Sequence, residues 1–467
     1  MEWYKLLSYT RERALLGESY SPSNPPEDQR SEIERDYGRA VFSTAVRRLQ
    51  DKAQVFPLEP NDFVRTRLTH SLEVSTLSRS LAKEVATYLL QDGDIDDQQA
   101  RDIETVAATV GLLHDIGNPP FGHAGEAAMQ GWFADLLQDE SAISTALGGA
   151  SSQLRQDFAM FDGNPQTFRL VSRLQVLADR FGLNLTAASL SVGLKYVSPS
   201  HEVVDDDQQR SKPGYFASEQ DLVAVLREHT GTGTARHPIA YLVEAADDMT
   251  YSCADLEDAV RKEIISWDLL RSEVLQDDSS QVALFDKCDK YLVTNASSLT
   301  GKSLDEARTQ LFRTFAMYEH VTAAANEFHR SLEGILGGQY KYELLSSGDS
   351  AGLLASCKRV AKEYVYRSPA VLRLELKGRS IIEQLLTLFW QGVSEAPSTD
   401  EQWQRTFPGK IYGLLSDNYR RAFEEDCTTY ALQRPVEYAR LQLIADYVAG
   451  MTDHFALSLA HELALTT

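Results

Sequence analysis

Along most of this chain, hydrophobic residues recur at the three-and-four spacing of helix faces. From Ser31 onward Ile33, Tyr37, Val41 and Phe42 share one face, and Ala45, Val46 and Leu49 prolong it. Ser71 to Gln91 predicts the clearest amphipathic helix, with Val74, Leu77, Leu81, Val85 and Tyr88 in one stripe. His70 is in phase with that stripe, so it points toward the core at the helix start, an unusual place for a side chain that could be solvated. A second apolar helical run, Val106 to Leu113, ends at His114-Asp115, because Pro119 and Pro120 cannot continue it. Further helices are predicted over Ala240 to Val260 and over Pro435 to Leu463, and periodicity dominates from Arg261 to the end.

Polar breaks divide these elements. Ser21-Pro22-Ser23-Asn24-Pro25-Pro26 is too rich in Pro and Ser for a helix and predicts an extended N-terminal arm over residues 1–30. The acidic stretch Asp92 to Asp97 reads as solvated loop, since it lacks the spacing of a calcium-binding loop. Loops are also predicted over Gly148 to Pro165 and Ser198 to Pro213, and breaks at Ala396-Pro397-Ser398 and Phe407-Pro408-Gly409. Thr230-Gly231-Thr232-Gly233-Thr234 fits neither phosphate-binding pattern and reads as a connector. Leu190, Val192 and Leu194 alternate, which predicts one or two short strands between Leu185 and Tyr196. The expected architecture is all-α with at most a few short strands. It has an arm (1–30), a helical core (31–265) and a helical C-terminal region (266–467) that completes the same globule and supplies an oligomer interface. The hint of oligomerisation is the Pro435–Leu463 run, whose Leu441, Leu443, Ile444, Val448 and Met451 spread around too much of the circumference for one core face.

Composition narrows the function classes. Hydrophobic content of 43% with 24% charged residues is that of a soluble globular protein. A net charge of -22, from 68 acidic and 46 basic residues, disfavours general nucleic-acid binding, although Arg35, Arg39, Arg47, Arg48, Lys52, Arg65 and Arg67 form a local basic concentration. Cys253, Cys288, Cys357 and Cys427 are far apart in sequence, without CxxC spacing, which argues against a zinc-thiolate site and fits a reducing compartment. With no signal-peptide core and no run of roughly 20 apolar residues, a cytoplasmic location and no membrane association are expected.

The chemistry concentrates in Leu113-His114-Asp115-Ile116-Gly117-Asn118-Pro119-Pro120-Phe121-Gly122-His123-Ala124-Gly125-Glu126. His114 and Asp115 are metal-binding side chains at the rim of a buried helix. His123 and Glu126 share a face if a new helix starts near Gly122. Imidazoles and carboxylates so placed suit metal-assisted hydrolysis. On the Ala240–Val260 helix, Asp247, Tyr251 and Asp255 follow i, i+4, i+8 on one face.

Together His70, His114-Asp115 and a distant Asp form the H…HD…D signature of the HD phosphohydrolase superfamily. The HDIGNPPFGHAGE block, Arg65 to Ser71, Arg47 to Leu58, Glu244 to Ser252 and Gly450 to Asp453 resemble the bacterial dGTP triphosphohydrolases over most of the chain. The resemblance implies hydrolysis of a dNTP, dGTP preferred, at the α-phosphorus, to deoxynucleoside and tripolyphosphate. It implies one divalent ion per subunit, Mn²⁺ or Mg²⁺, held by His70, His114, Asp115 and a fourth carboxylate. Asp247 is the choice for that ligand because it is in register with Tyr251 and Asp255; the alternative is Asp248. By the same resemblance His123 is the acid/base residue, activating water or protonating the leaving oxygen, with Glu126 beside it. Arg67, Lys195 and Lys212 fall at phosphate-contacting positions, Tyr196 and Asn164 at further substrate positions, and Gln54, Tyr251 and Asp255 near the deoxyribose. A homo-oligomer, most readily a hexamer, and single-stranded DNA as an effector are also implied. The alternatives are another HD-type nucleotide phosphatase or phosphodiesterase, or a non-catalytic nucleotide- or single-strand-binding protein on the same scaffold.

Overall fold

A computed structural model describes residues 1–18, 29–58, 64–138, 141–175, 180–296, 298–396 and 401–463. The fold is almost wholly helical, and among the described residues the only sheet is one parallel pair, Ser198–Pro199 with Pro213–Tyr215. No described helix is long and apolar enough to cross a membrane.

The helix Arg67–Asp92 starts where Thr66 closes a reciprocal capping box with Thr69 and stops at Gly93, whose φ of 79° suits a residue without a Cβ. Asp96 then caps Asp97–Leu113 through a second box with Gln99. The connection is too short for anything but an antiparallel pairing of the two helices. Pro238–Arg261 packs against both and is buried along nearly its whole length. Three buried clusters surround this trio. One joins the 112–137 region to the Pro369–Val393 and Val436–Ala449 helices, the second lies under the N-terminus, and the third gathers around Trp267, Phe285 and Phe312.

Several local expectations are corrected. The first residues are no free extended arm: Trp3–Leu6 and Glu12–Leu15 are short helices, Trp3, Leu6 and Leu7 are buried, and buried Arg11 is paired with Asp36 at 2.8 Å. Ser21 to Pro26 lie outside the described residues, as do Pro397 and Ser398. Val41 and Phe42 are exposed, because the helix Glu32–Phe42 buries Ile33, Asp36 and Ala40 instead. The predicted 148–165 loop contains the helix Gln153–Ala159. The alternation at Leu190, Val192 and Leu194 belongs to the helix Ala187–Gly193, capped by Thr186; it is buried on nearly all sides, so apolar spacing carries no period there. The strand pair begins just beyond it.

The single helix expected over Pro435–Leu463 is two, Val436–Ala449 and Asp453–Glu462, broken where Thr452 caps the second. Leu441, Leu443, Ile444, Val448 and Met451 are all buried within this chain's own core. The circumferential apolar pattern is therefore satisfied internally and carries no information about an interface between copies.

Candidate metal centre

Thr66 fixes the start of its helix so that Arg67 and His70 fall in the first turn, and His70 is 1% exposed. His114 and Asp115 lie in the turn after Leu113. The His70, His114 and Asp115 ligand atoms lie within 4.8 Å of one another. Asp247 reaches the same point from Pro238–Arg261: its Oδ1 is 3.2 Å from His70 Nε2 and 3.5 Å from His114 Nε2. The neighbouring Asp248 turns away to Lys358 Nζ at 3.1 Å.

The donor set fits a divalent cation. His114 Nδ1 is 2.7 Å from the carbonyl oxygen of Gly111, which can only accept, so Nδ1 carries the proton and Nε2 is left as a potential ligand. Among the described residues that buried Nε2 makes no hydrogen bond of good geometry. Asp115 is oriented from both sides, by Arg67 at 2.5 Å and by the Asn118 amide at 2.6 Å. Burial opposes charge on His114, but the carboxylates of Asp115 and Asp247 override it and lift the imidazole to about 9. Burial likewise opposes charge on Asp115 and Asp247, yet Arg67 and His114 hold the first, and His114 and His70 the second, below the usual carboxylate range. In the metal-free protein a proton thus answers the charge that a cation would answer, and the two compete.

A cavity opens over this cluster. His114, Asp115, Asn118 and Asp247 form part of its wall, and His123, Glu126, Asn164, Lys195, Tyr196 and Lys212 line it too. Val110, Leu113, Leu190 and Val243 are among the residues that make the rest apolar. Lys195 Nζ lies 3.5 Å from Asp247 Oδ2, and Lys212 Nζ donates to Asp162 Oδ2 at 2.9 Å. The parallel strand pair brings these two lysines into one wall. It requires Gly214, where a Cβ would meet the Tyr196 carbonyl oxygen at 1.9 Å. Asn164 is held by Asp162, which accepts from its side chain at 2.5 Å.

His123 is the first residue of the helix His123–Leu136, and its side chain is 89% exposed. Nδ1 donates to Glu126 Oε2 at 3.1 Å, and Glu126 Oε1 accepts from Gly163 N at 2.8 Å. The hydrogen bond to Glu126 raises the His123 pKa.

Gln54, Tyr251 and Asp255 are not in the wall of this cavity. Tyr251 and Asp255 continue the Asp247 helix, where Lys358 lies over the Tyr251 ring and Asp255 accepts from Tyr366 Oη at 2.6 Å. Gln54 Oε1 is buried, with no hydrogen-bond partner among the described residues. Most of the local basic concentration is consumed internally. Arg65 pairs with Glu73, Glu257 and Asp258, Arg48 donates to Tyr419 and to the Gly450 carbonyl, and Lys52 is buried. Sequence reasoning missed Asn118, Asp162 and Thr167, which orient the site. Thr167 Oγ1 accepts from Gly117 N at 3.0 Å and donates to the His114 carbonyl at 3.2 Å. Only the Pro-Pro break beside Asn118 could have drawn attention to any of them.

Residues 67–146 match the HD domain family, and residues 409–462 match the phosphohydrolase-associated domain. A deoxyguanosinetriphosphate triphosphohydrolase-like protein of Listeria monocytogenes is 34% identical, over 99% of this chain and 99% of that protein. The deoxyguanosinetriphosphate triphosphohydrolases of Yersinia enterocolitica and Klebsiella pneumoniae are each 35% identical, over 91% of this chain and 92% of theirs.

Proposed function

The chain belongs to the deoxyguanosinetriphosphate triphosphohydrolase family of HD-domain phosphohydrolases, and from that membership we propose that it hydrolyses a deoxynucleoside triphosphate, dGTP by preference, to deoxynucleoside and tripolyphosphate. The observation that carries this reading is the convergence of His70, His114, Asp115 and Asp247 on one point, with the buried His114 Nε2 making no hydrogen bond of good geometry among the described residues, in a cavity that also presents two lysines.

His70, His114, Asp115 and Asp247 would hold a divalent cation such as Mn²⁺ or Mg²⁺, which would supply Lewis-acid charge for hydrolysis at the α-phosphorus. Lys195 and Lys212 bind the triphosphate oxygens, with Tyr196 and Asn164 beside them. Arg67 serves the substrate through the orientation of Asp115 as well as by its charge. His123 exchanges a proton through Nε2, because Nδ1–H is committed to Glu126. One water is consumed: its oxygen ends on the tripolyphosphate and a proton ends on the departing 5′-oxygen. Gln54, Tyr251 and Asp255 are assigned to the deoxyribose on the family resemblance alone; because they lie outside the wall of the cavity, that assignment requires the sugar to extend past Asp247 along the Pro238–Arg261 helix, where close packing at C2′ would reject ribonucleotides.

Incubating the purified protein with each dNTP and Mn²⁺ and resolving the products tests the reading. Tripolyphosphate with deoxynucleoside is expected; release of monophosphate or pyrophosphate, or no turnover, refutes it. A cytoplasmic homo-oligomer, a hexamer by analogy with relatives, with single-stranded DNA as effector, completes the proposal. Light scattering at micromolar concentration and the response of kcat to added oligonucleotide test those two parts.

A further inference from the structure

The loop between the metal motif and His123 is held from the far end of the chain. Asp453 is 2% exposed, and its carboxylate accepts from two backbone amides, Phe121 N to Oδ1 at 2.9 Å and Ala53 N to Oδ2 at 3.0 Å. Lys52, also buried, donates to the carbonyl oxygens of Asn118 at 2.5 Å and Ala449 at 2.8 Å. A buried carboxylate and a buried ammonium are costly unless paired and hydrogen-bonded, and here each ties the 118–121 segment to another part of the chain.

That segment needs holding. Phe121 has φ of 62° and Gly122 of 58°. A bulky residue in the left-handed region costs on the order of 1–3 kcal/mol and persists only where its surroundings impose it. The Phe121 ring is fixed in turn against Gly378 of the Pro369–Val393 helix, where a Cβ would come within 2.6 Å of Phe121 Cγ. The residue after this turn is His123, the start of its helix.

We propose that Asp453, with Lys52, is a positioning residue: it imposes the left-handed turn at Phe121-Gly122 and thereby sets His123 and Glu126 against the His70, His114, Asp115 and Asp247 cluster. Its kinetic consequence rests on the function proposed above; its geometric consequence does not.

The test is Asp453→Asn in the full-length protein. It keeps the size of the side chain but turns an amide N–H toward one of the two backbone donors. Mn²⁺ is the probe: its affinity is titrated, and its paramagnetic broadening of the His123 ring signals, assigned by their loss in His123→Gln, reports the distance between them. Mn²⁺ affinity and KM should stay within about threefold while kcat falls ~10–100-fold and the His123 broadening weakens. Gly378→Ala displaces the Phe121 ring without touching the carboxylate and should give the same split, so the test survives if Asp453→Asn does not fold. Unchanged broadening and kcat in a folded variant overturn the proposal. So does parallel loss of Tm, Mn²⁺ and kcat in both variants, the mark of a general structural staple. If the wild-type protein turns over no dNTP, the functional reading fails and the His123 signal alone decides the positioning role.

Discussion

Removing the His123 imidazole is the sharpest perturbation of the proposed chemistry, because the structure separates its contribution from packing and from metal binding. The ring is 89% exposed, so His123→Ala should change stability by no more than ~0.5 kcal/mol. It lies outside the group of ligand atoms formed by His70, His114 and Asp115, so Mn²⁺ affinity should hold. What is lost is proton transfer through Nε2, worth ~10²–10⁴ in kcat, or ~2.7–5.4 kcal/mol at about 1.36 kcal/mol per decade. Glu126 is itself anchored by Gly163 N, so Glu126→Gln frees the imidazole from its partner while leaving the helix in place. It should lower kcat by less, about tenfold, and move the His123 limb of the pH–rate profile to lower pH, since the Glu126 hydrogen bond raises that pKa. The double variant should be hardly slower than His123→Ala alone, because the two residues act as one unit. The assay is steady-state dNTP turnover with Mn²⁺, with calorimetric Mn²⁺ titration alongside. An unchanged kcat would remove His123 from the chemistry, and loss of Mn²⁺ would move it into the coordination shell.

Asp115→Ala should abolish stoichiometric metal binding, and Asp247→Asn should weaken it far more than Asp248→Asn, whose carboxylate already serves Lys358; equal metal content in all three by elemental analysis would sink the ligand assignment. Metal-free protein should lose thermal stability as pH rises from about 6 to about 7; above 7 the His114 loss continues but is opposed by Lys52, which burial lowers to about 7, so that there an unfolded chain holds a proton the native state has shed. The stabilising proton on His114 is fully held below 6.5 and leaves as pH passes about 9, and Asp157 and Asp255, pushed by burial to about 7, keep protons that an unfolded chain sheds near 3.8. Saturating Mn²⁺ should flatten that decline, because the ion replaces the His114 proton, and a Tm that climbs between pH about 6 and about 7 without metal would contradict the signs. Arg169→Met should cost ~3–5 kcal/mol in urea unfolding, since the buried guanidinium pairs with both Asp446 at 2.8 Å and Glu219 at 2.8 Å and its loss leaves two buried carboxylates without that charge; a change below about 1 kcal/mol would show that their remaining partners, Gln166, Gln442, Ser218 and Arg173 among them, suffice.

Taken alone, the sequence determined what depends on near neighbours. Helical periodicity and the Pro-Pro break are local, so the helical class and the end of the second central helix at Leu113 follow from them; the periodicity placed the first helix from Ser71, and the caps at Thr66 and Asp96 start the two helices at Arg67 and Asp97. The same holds for His123 with Glu126, which need only one helical turn to meet, and for the core-facing phase of His70. Tertiary structure decided what depends on which surfaces meet. Asp247 and Asp248 differ by about 100° around their helix, and only packing of that helix against the other two brings Asp247 to His70 and Asp248 to Lys358. Lys195 and Lys212 share a wall because two short strands pair across a glycine that tolerates the Tyr196 carbonyl. The alternation before them gave no warning, since an element buried on nearly all sides shows no polar face to mark its period. For the same reason the all-round apolar pattern near the C-terminus could not distinguish an interface from a core. Asp453 reaches Phe121 across 332 residues, and no sequence periodicity spans that separation: a buried carboxylate chooses its amides only once the chain has closed around it.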